Sequence, residues 1–277
     1  MNKPLLIILS TLVILLTFFI LTNLPPSNIE VNSDSSIIKV AILDSGINND
    51  LQTNSFNVVK EFNTFDSSSN VNDDFGHGTA IASILIDVPQ NEKIQVYDIK
   101  VLNEKGTGDV KNLIAGIEWA MEETVDVINV SLGLHKDNQM LEDVIKKALQ
   151  KDIIVVASSG NNHGLFIDYP ARYKGVISVS SLKNNNEKVF SSESGKIDLV
   201  DYGMDIEAIN NNGKTENFSG TSFATANATR KIIALILAGE IPKSNNELIS
   251  NIEENTIDLG AKGKDEKFGF GLLKELN

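Results

Sequence analysis

Val40-Ala41-Ile42-Leu43-Asp44-Ser45-Gly46 is a run of four apolar residues that stops on a carboxylate and then turns. A short apolar run rich in β-branched residues and bounded by turn signals reads as a strand buried on both faces. Ser-Gly lets the chain leave that strand sharply, with the carboxylate at its end. Working outward, the first strand is predicted over 38–43, and runs of the same character recur at 94–101, 125–131, 153–157 and 176–181. Helical patterns fall between and after them: one opening at His77, then 110–123, 140–150 and 222–238, with a polar helix near 244–253. Strands alternating with helices predict an α/β fold, a doubly wound and mainly parallel sheet flanked by helices. In such sheets ligands bind beyond the carboxyl ends of the strands, which is where Asp44 stands.

The chain has 277 residues, 42% of them hydrophobic, enough for one large domain, here 37–277. A formal net charge of -13 excludes a nucleic-acid partner, because an acidic surface repels a phosphate backbone. With no cysteine there is no disulfide, no thiolate nucleophile and no Cys-based metal site. Residues 4–22 carry no charge and reach bilayer-spanning length. The segment 1–23 is therefore expected to enter a membrane, as a retained anchor or as a cleaved signal peptide. The stretch Leu21-Thr22-Asn23-Leu24-Pro25-Pro26 lacks a small-residue cleavage pattern, which favours the anchor. Lys3 against Glu30 and Asp34 places the amino terminus in the cytoplasm and the domain outside. Residues 24–36 form a polar linker, and the clusters at 66–74, 184–186 and 210–212 read as surface loops.

Two further segments bear chemistry: Phe75-Gly76-His77-Gly78-Thr79 and Phe218-Ser219-Gly220-Thr221-Ser222-Phe223-Ala224. A serine hydroxyl becomes a nucleophile when an imidazole takes its proton, and the imidazole needs a carboxylate to fix its tautomer and stabilise its charged form. Asp44, His77 and Ser222 are candidates for those three jobs. In isolation each would read as a turn, loop or cap residue; their combination reverses that. The glycines beside His77 permit close backbone approach, and Ser222 opens an apolar helix whose N-terminal donors suit an oxyanion.

The order Asp, His, Ser with these flanks resembles the subtilase family of serine peptidases. The fourth family element is matched by Val155-Val156-Ala157-Ser158-Ser159-Gly160-Asn161, which implies that the Asn161 amide donates to the oxyanion. Lys100-Val101-Leu102 and Gly106-Thr107-Gly108 look like the family's substrate-edge strand, and Asn129-Val130-Ser131-Leu132-Gly133 like the opposite wall. The resemblance thus implies that Gly106, Gly108, Ser131, Leu132, Gly133, Ser158 and Gly160 bind an extended peptide as an added strand. Asp168 precedes Tyr169-Pro170 and falls at the base of the primary pocket, which implies cleavage after basic residues. His163 reads as a polar loop residue.

Three departures from the family pattern stand out. Ala226 replaces a proline four residues after Ser222, read here as lying in the first helical turn, and Ala80 replaces a second histidine. Leu85-Ile86-Asp87-Val88-Pro89 replaces the Asn- and Gly-rich calcium loop, so that calcium site is expected to be missing; carbonyl-built calcium sites leave no sequence signature. Only a dozen residues separate the apolar segment from the first strand, too few for an inhibitory prodomain. The expectation is a monomeric, membrane-anchored or secreted serine endopeptidase acting on peptide or protein substrates without a cofactor. The alternatives are a narrow processing peptidase of an exported peptide and a catalytically silent peptide-binding protein of the same fold.

Overall fold

A computed structural model describes residues 37–48, 50–51, 56–161, 166–187 and 195–276. The predicted segments 1–23 and 24–36 lie outside the described residues. All elements belong to the unit Ile37–Asn277. In chain order they are β1 (Ile38–Asp44), β2 (Val58–Asn63), α1 (His77–Leu85), β3 (Ile94–Lys100), α2 (Val110–Glu122), β4 (Val127–Val130), α3 (Gln139–Gln150) and β5 (Ile154–Ser158). There follow β6 (Ile177–Leu182), β7 (Leu199–Tyr202), β8 (Ile206–Ile209), β9 (Thr215–Phe218), α4 (Thr221–Ala238), α5 (Asn245–Asn251), β10 (Thr256–Ile257) and β11 (Leu272–Leu273).

Nine strands form one sheet in the order β10-β11-β7-β6-β5-β4-β1-β3-β2. Neighbours are parallel except β10 and β11, and β8 with β9 makes a separate antiparallel hairpin. β1 lies between β3 and β4, so the chain leaves it toward one edge and later returns to build the other. That reversal of strand order opens a crevice at the carboxyl end of β1, where Asp44 faces Lys100 in register.

The period-2 alternation of β1 sorts the core into two layers. Ile38, Val40 and Ile42 point to the face covered by α1 and α4, while Ala41 and Leu43 point to the face covered by α2 and α3. Helix starts follow ordinary capping chemistry. Asp109 accepts from Lys111 N and Asn112 N while Asn112 answers onto Asp109 N, and Asn138 caps α3. Two helices start differently. Gly76 precedes α1 at φ 98°, and Gly220 precedes α4, neither with a side-chain cap of its own. Both of these ends are at the crevice, and their N–H groups are taken up by side chains from elsewhere in the chain: Asp73 and Ser45 for α1, Asn161 for α4.

The described residues hold no helix long and apolar enough to cross a membrane. Among the surface-loop expectations, Asp73 and Asn210 are instead buried. Asn210 closes the β8–β9 turn, its N–H donating to Lys214 O and its side chain accepting from Asn212 N and Lys214 N.

Candidate active site

Asp44 ends β1 with 1% exposure. Its main-chain carbonyl takes N–H groups from Val101 (2.7 Å) and Leu102 (3.1 Å), and its Oδ1 takes the Ser45 N–H (2.8 Å). His77 is the first residue of α1, and its Nδ1 lies 2.7 Å from the same Oδ1. A carboxylate only accepts, so Nδ1 carries the hydrogen and Nε2 keeps its lone pair. Burial alone would push the imidazole down, but the charge and hydrogen bond of Asp44, helped by the charge of Asp73, raise it above the ordinary histidine value. The first turn of α1 can come this close because position 78 is glycine: a Cβ there would collide with Gly46 O.

Asp73 is a residue whose importance the sequence hid. Its carboxylate accepts five hydrogen bonds, from Ser45 Oγ (2.8 Å), Phe75 N (3.1 Å), Gly76 N (2.7 Å), Thr79 N (2.9 Å) and Thr79 Oγ1 (2.7 Å). Ser45 Oγ in turn accepts the Gly78 N–H at 2.9 Å. The buried Lys100 ammonium donates to Ser45 O (2.6 Å) and Asn72 O (2.8 Å), fixing the same two loops. An Asp a few residues before a helix is a capping signal, and that signal was available in the sequence.

Ser222 is the second residue of α4, not its cap; Gly220 holds that place. The Ser222 hydroxyl donates to Ser131 O at 2.7 Å, and Ser131 Oγ answers by donating to Ser222 O at 3.1 Å. His77 and Ser222 share no hydrogen bond here, although the His77 ring packs edge-on against Phe223, centroids 5.4 Å apart. Among the described residues the Ser222 N–H has no intramolecular partner, as expected in a first helical turn. Asn161 follows β5, and its Oδ1 accepts from Thr221 N and Thr221 Oγ1, both at 3.1 Å. A main-chain N–H only donates, so the oxygen must face Thr221 and the Asn161 Nδ2 is left to point elsewhere as a donor. Ser158 Oγ pairs with Thr221 Oγ1 at 2.6 Å, extending this line into the sheet. Thr221 was not singled out in the sequence, where it reads as a helix-start residue.

Residues 35–271 match the family model described as the Subtilase family. The chain belongs to the subtilase family. It is 32% identical to the minor extracellular protease Epr of Bacillus subtilis (strain 168) over 247 residues, which is 86% of this chain and 38% of Epr. It is 27% identical to the alkaline elastase YaB of Bacillus sp. (strain YaB), covering 85% of this chain and 63% of that protein. It is also 29% identical to Subtilisin Savinase of Lederbergia lenta, covering 85% and 88%. The chain thus spans less than two thirds of the length of Epr and of the YaB elastase.

Around this subtilase centre the remaining predicted residues divide into two groups. Gly133, Gly160 and Asp168 come together: a Cβ on either glycine would collide with the Asp168 carboxylate, which is 3% exposed. His135, not anticipated, places Nδ1 2.8 Å from Asp168 Oδ1. Leu132 is half-buried beside them, and a bridge between Leu134 and Tyr169 joins the two segments. Gly106 and Gly108 lie in a turn closed by the Asn103 N to Thr107 O bond, not in a strand, because β3 ends at Lys100. Gly106 lies under the Phe75 ring, and Gly108 fits against Val101 O. On the other side of His77, a cleft of about 500 Å³ opens between Phe75, Phe218, Ser219 and Phe223. One expectation fails: Ala226 is the sixth residue of α4 and stands in its second turn, where a proline would remove an interior N–H and Ala supplies it.

Proposed function

We propose that this chain is a serine endopeptidase that forms an acyl-enzyme on Ser222. Ser222 Oγ attacks the scissile carbonyl carbon while His77 Nε2 takes its proton, and the Asp44 carboxylate holds the imidazolium through Nδ1–H. The carbonyl oxygen becomes an oxyanion that receives the Ser222 N–H and the Asn161 Nδ2–H; losing one such donor costs about 100-fold or more in turnover. His77 then gives its proton to the departing amine, which leaves over the cleft bounded by Phe75 and Phe223. Water, deprotonated by the same imidazole, hydrolyses the ester and restores the Ser222 hydroxyl. In the free enzyme that hydroxyl donates to Ser131 O, a bond it gives up when it turns to the imidazole. No cofactor enters these steps.

The observation that carries this proposal is the 2.7 Å contact of His77 Nδ1 with Asp44 Oδ1, beside the start of α4, where Ser222 bonds to Ser131 and Thr221 to Asn161. The relatives, named as a protease, an elastase and a subtilisin, support it, and the extracellular protease Epr among them supports a site of action outside the cell. Peptides or proteins are the substrates. We further assign the acyl-side pocket to Lys or Arg, because the Asp168 carboxylate is enclosed by Gly133 and Gly160, where a cationic guest gains an attraction that a neutral one does not.

A fluorophosphonate probe tests the chemistry: the full chain is expected to label at Ser222, with labelling abolished in Ser222→Ala. An unlabelled wild-type chain would instead identify a silent peptide-binding protein. Nitroanilide peptides ending in Arg, Phe or Leu test the pocket, with Arg expected to lead by about tenfold and equal turnover refuting the assignment.

A further inference from the structure

On the reading of His77 and Ser222 given above, we propose that Asn211 is a positioning residue for the acylation step, pinning the turn that carries the base to the hairpin that leads into the nucleophile. The hairpin stands apart from the nine-strand sheet, and its second strand, β9, ends at Phe218, four residues before Ser222. Its turn is closed by Asn210 N on Lys214 O, which leaves Asn211 at the tip. Ile209 N donates to Ser83 Oγ at 3.0 Å, so the hairpin follows α1 from its last turn toward its first.

Three segments converge on Asn211. Its Nδ2 donates to Asp73 O at 2.7 Å, in the loop before α1. Its Oδ1 lies 3.0 Å from Thr79 Oγ1, in the first turn of α1, and that hydroxyl shares its one hydrogen between Asn211 and Asp73 Oδ2. The Asn211 main-chain carbonyl accepts from Asn48 Nδ2 at 2.9 Å, four residues past Asp44. A carbonyl only accepts, so Nδ2 must face Asp73 O, and this sets the orientation of the amide. The fit is close: a Cβ on Gly76, the residue before His77, would stand 3.2 Å from Asn211 Nδ2. Asp73 ties the loop of the acid to the turn of the base, and Asn211 adds the third member, because its hairpin runs into the start of α4. His77 and Ser222 share no hydrogen bond in the free enzyme, so their meeting depends on the elements that carry them, and a displacement of about 1 Å can cost 100-fold in rate. Of the other two histidines, His135 stands against Asp168 and His163 lies outside the described residues.

Asn211 also lines the cleft beyond His77, so a direct contact with the departing segment of the substrate is the rival role. The experiment separates them in the full chain with Asn211→Ala, Asn211→Leu, which keeps bulk but no donor, and Lys214→Ala, an exposed residue of the same turn, as control. Labelling of Ser222 by a fluorophosphonate is timed, and kcat and KM are measured for a nitroanilide peptide and for a peptide extended beyond the scissile bond. All rates are taken per folded chain, well below the melting temperature. Both Asn211 variants are expected to lose about tenfold in kcat with either substrate and to label more slowly by the same factor, with KM within about twofold of the wild type; Lys214→Ala should match the wild type. A rise in KM confined to the extended peptide, with kcat kept, overturns the proposal and makes Asn211 a substrate contact. Earlier melting with unchanged kcat and labelling, or failure of both variants to fold, overturns it in favour of a scaffold role. In each of these cases a wild-type chain that labels leaves the peptidase reading standing, whereas a wild-type chain that does not label removes that reading and this proposal with it.

Discussion

Asp73 binds Ser45, one residue past Asp44, and Thr79, two residues past His77, so one buried carboxylate ties the loop of the acid to the turn of the base. An Asn of the same shape would accept at one atom and present hydrogens at the other, turning part of the donor set against it. It would also remove a negative neighbour that raises the His77 imidazole. The general base must be neutral, so activity is lost as pH falls through the raised His77 value. Removing Asp73 charge lowers that value and extends activity to more acidic solution. In Asp73→Asn, the acid limb of kcat/KM is expected to move to lower pH, and kcat on the plateau to fall about tenfold as the geometry loosens. A variant that melts earlier but keeps its acid limb would show Asp73 to be a scaffold residue only. At this scale the sequence singles out candidates by local context: Asp44 at a strand end, His77 between glycines, Ser222 at a helix start and Asn161 after Gly160. At Ser45, Asp73 and Thr221 only a turn or cap role is legible. Their work depends on partners far along the chain, 60 residues away for Thr221 and Asn161.

The contact between the start of α1 and the turn after β1 is backbone against backbone. A methyl group at Gly78 would collide with Gly46 O, and neither side has a flexible side chain that can yield. Gly78→Ala is therefore expected to cost about 3 kcal/mol of stability and to separate His77 from Asp44, with kcat/KM falling further than stability alone explains. Gly239→Ala is the control. That glycine caps α4 at φ 75° with nothing within 4 Å, so the change meets only the local backbone penalty of about 1 kcal/mol. Equal losses of stability and of activity in the two variants would refute the collision. The same distinction between local and distant causes explains which elements could be read. β1, β3, β4, β5 and β6 are almost wholly buried, so apolar runs announced them to within about two residues. β2 is an edge strand, Val58-Val59-Lys60-Glu61-Phe62-Asn63, mostly open to water and irregular at Val58/Lys60, and its polar sequence carries no strand pattern. β9 is likewise largely exposed, β8 is partly buried, and β10 and β11 have two residues each; pairing, not propensity, makes them strands.

Across the whole molecule, 37 acidic against 24 basic side chains leave a net charge of -13, while the pocket assigned to basic residues holds the enclosed carboxylate of Asp168. These act over different distances. The field of the surface reaches a cationic substrate through water and is screened beyond about 8 Å at physiological salt, whereas a carboxylate walled in by Gly133 and Gly160 meets its guest with little solvent between. Two lysines added to a substrate well away from the scissile bond should therefore raise kcat/KM several-fold at about 20 mM salt, and that gain should vanish by about 300 mM. Over the same range the kcat/KM ratio of a nitroanilide peptide ending in Arg to its neutral citrulline isostere should change by less than about twofold, because both peptides share the outer field and differ only inside the pocket. If the ratio instead collapses in step with the lysine effect, selectivity belongs to the acidic surface, and Asp168 is one more contributor to it.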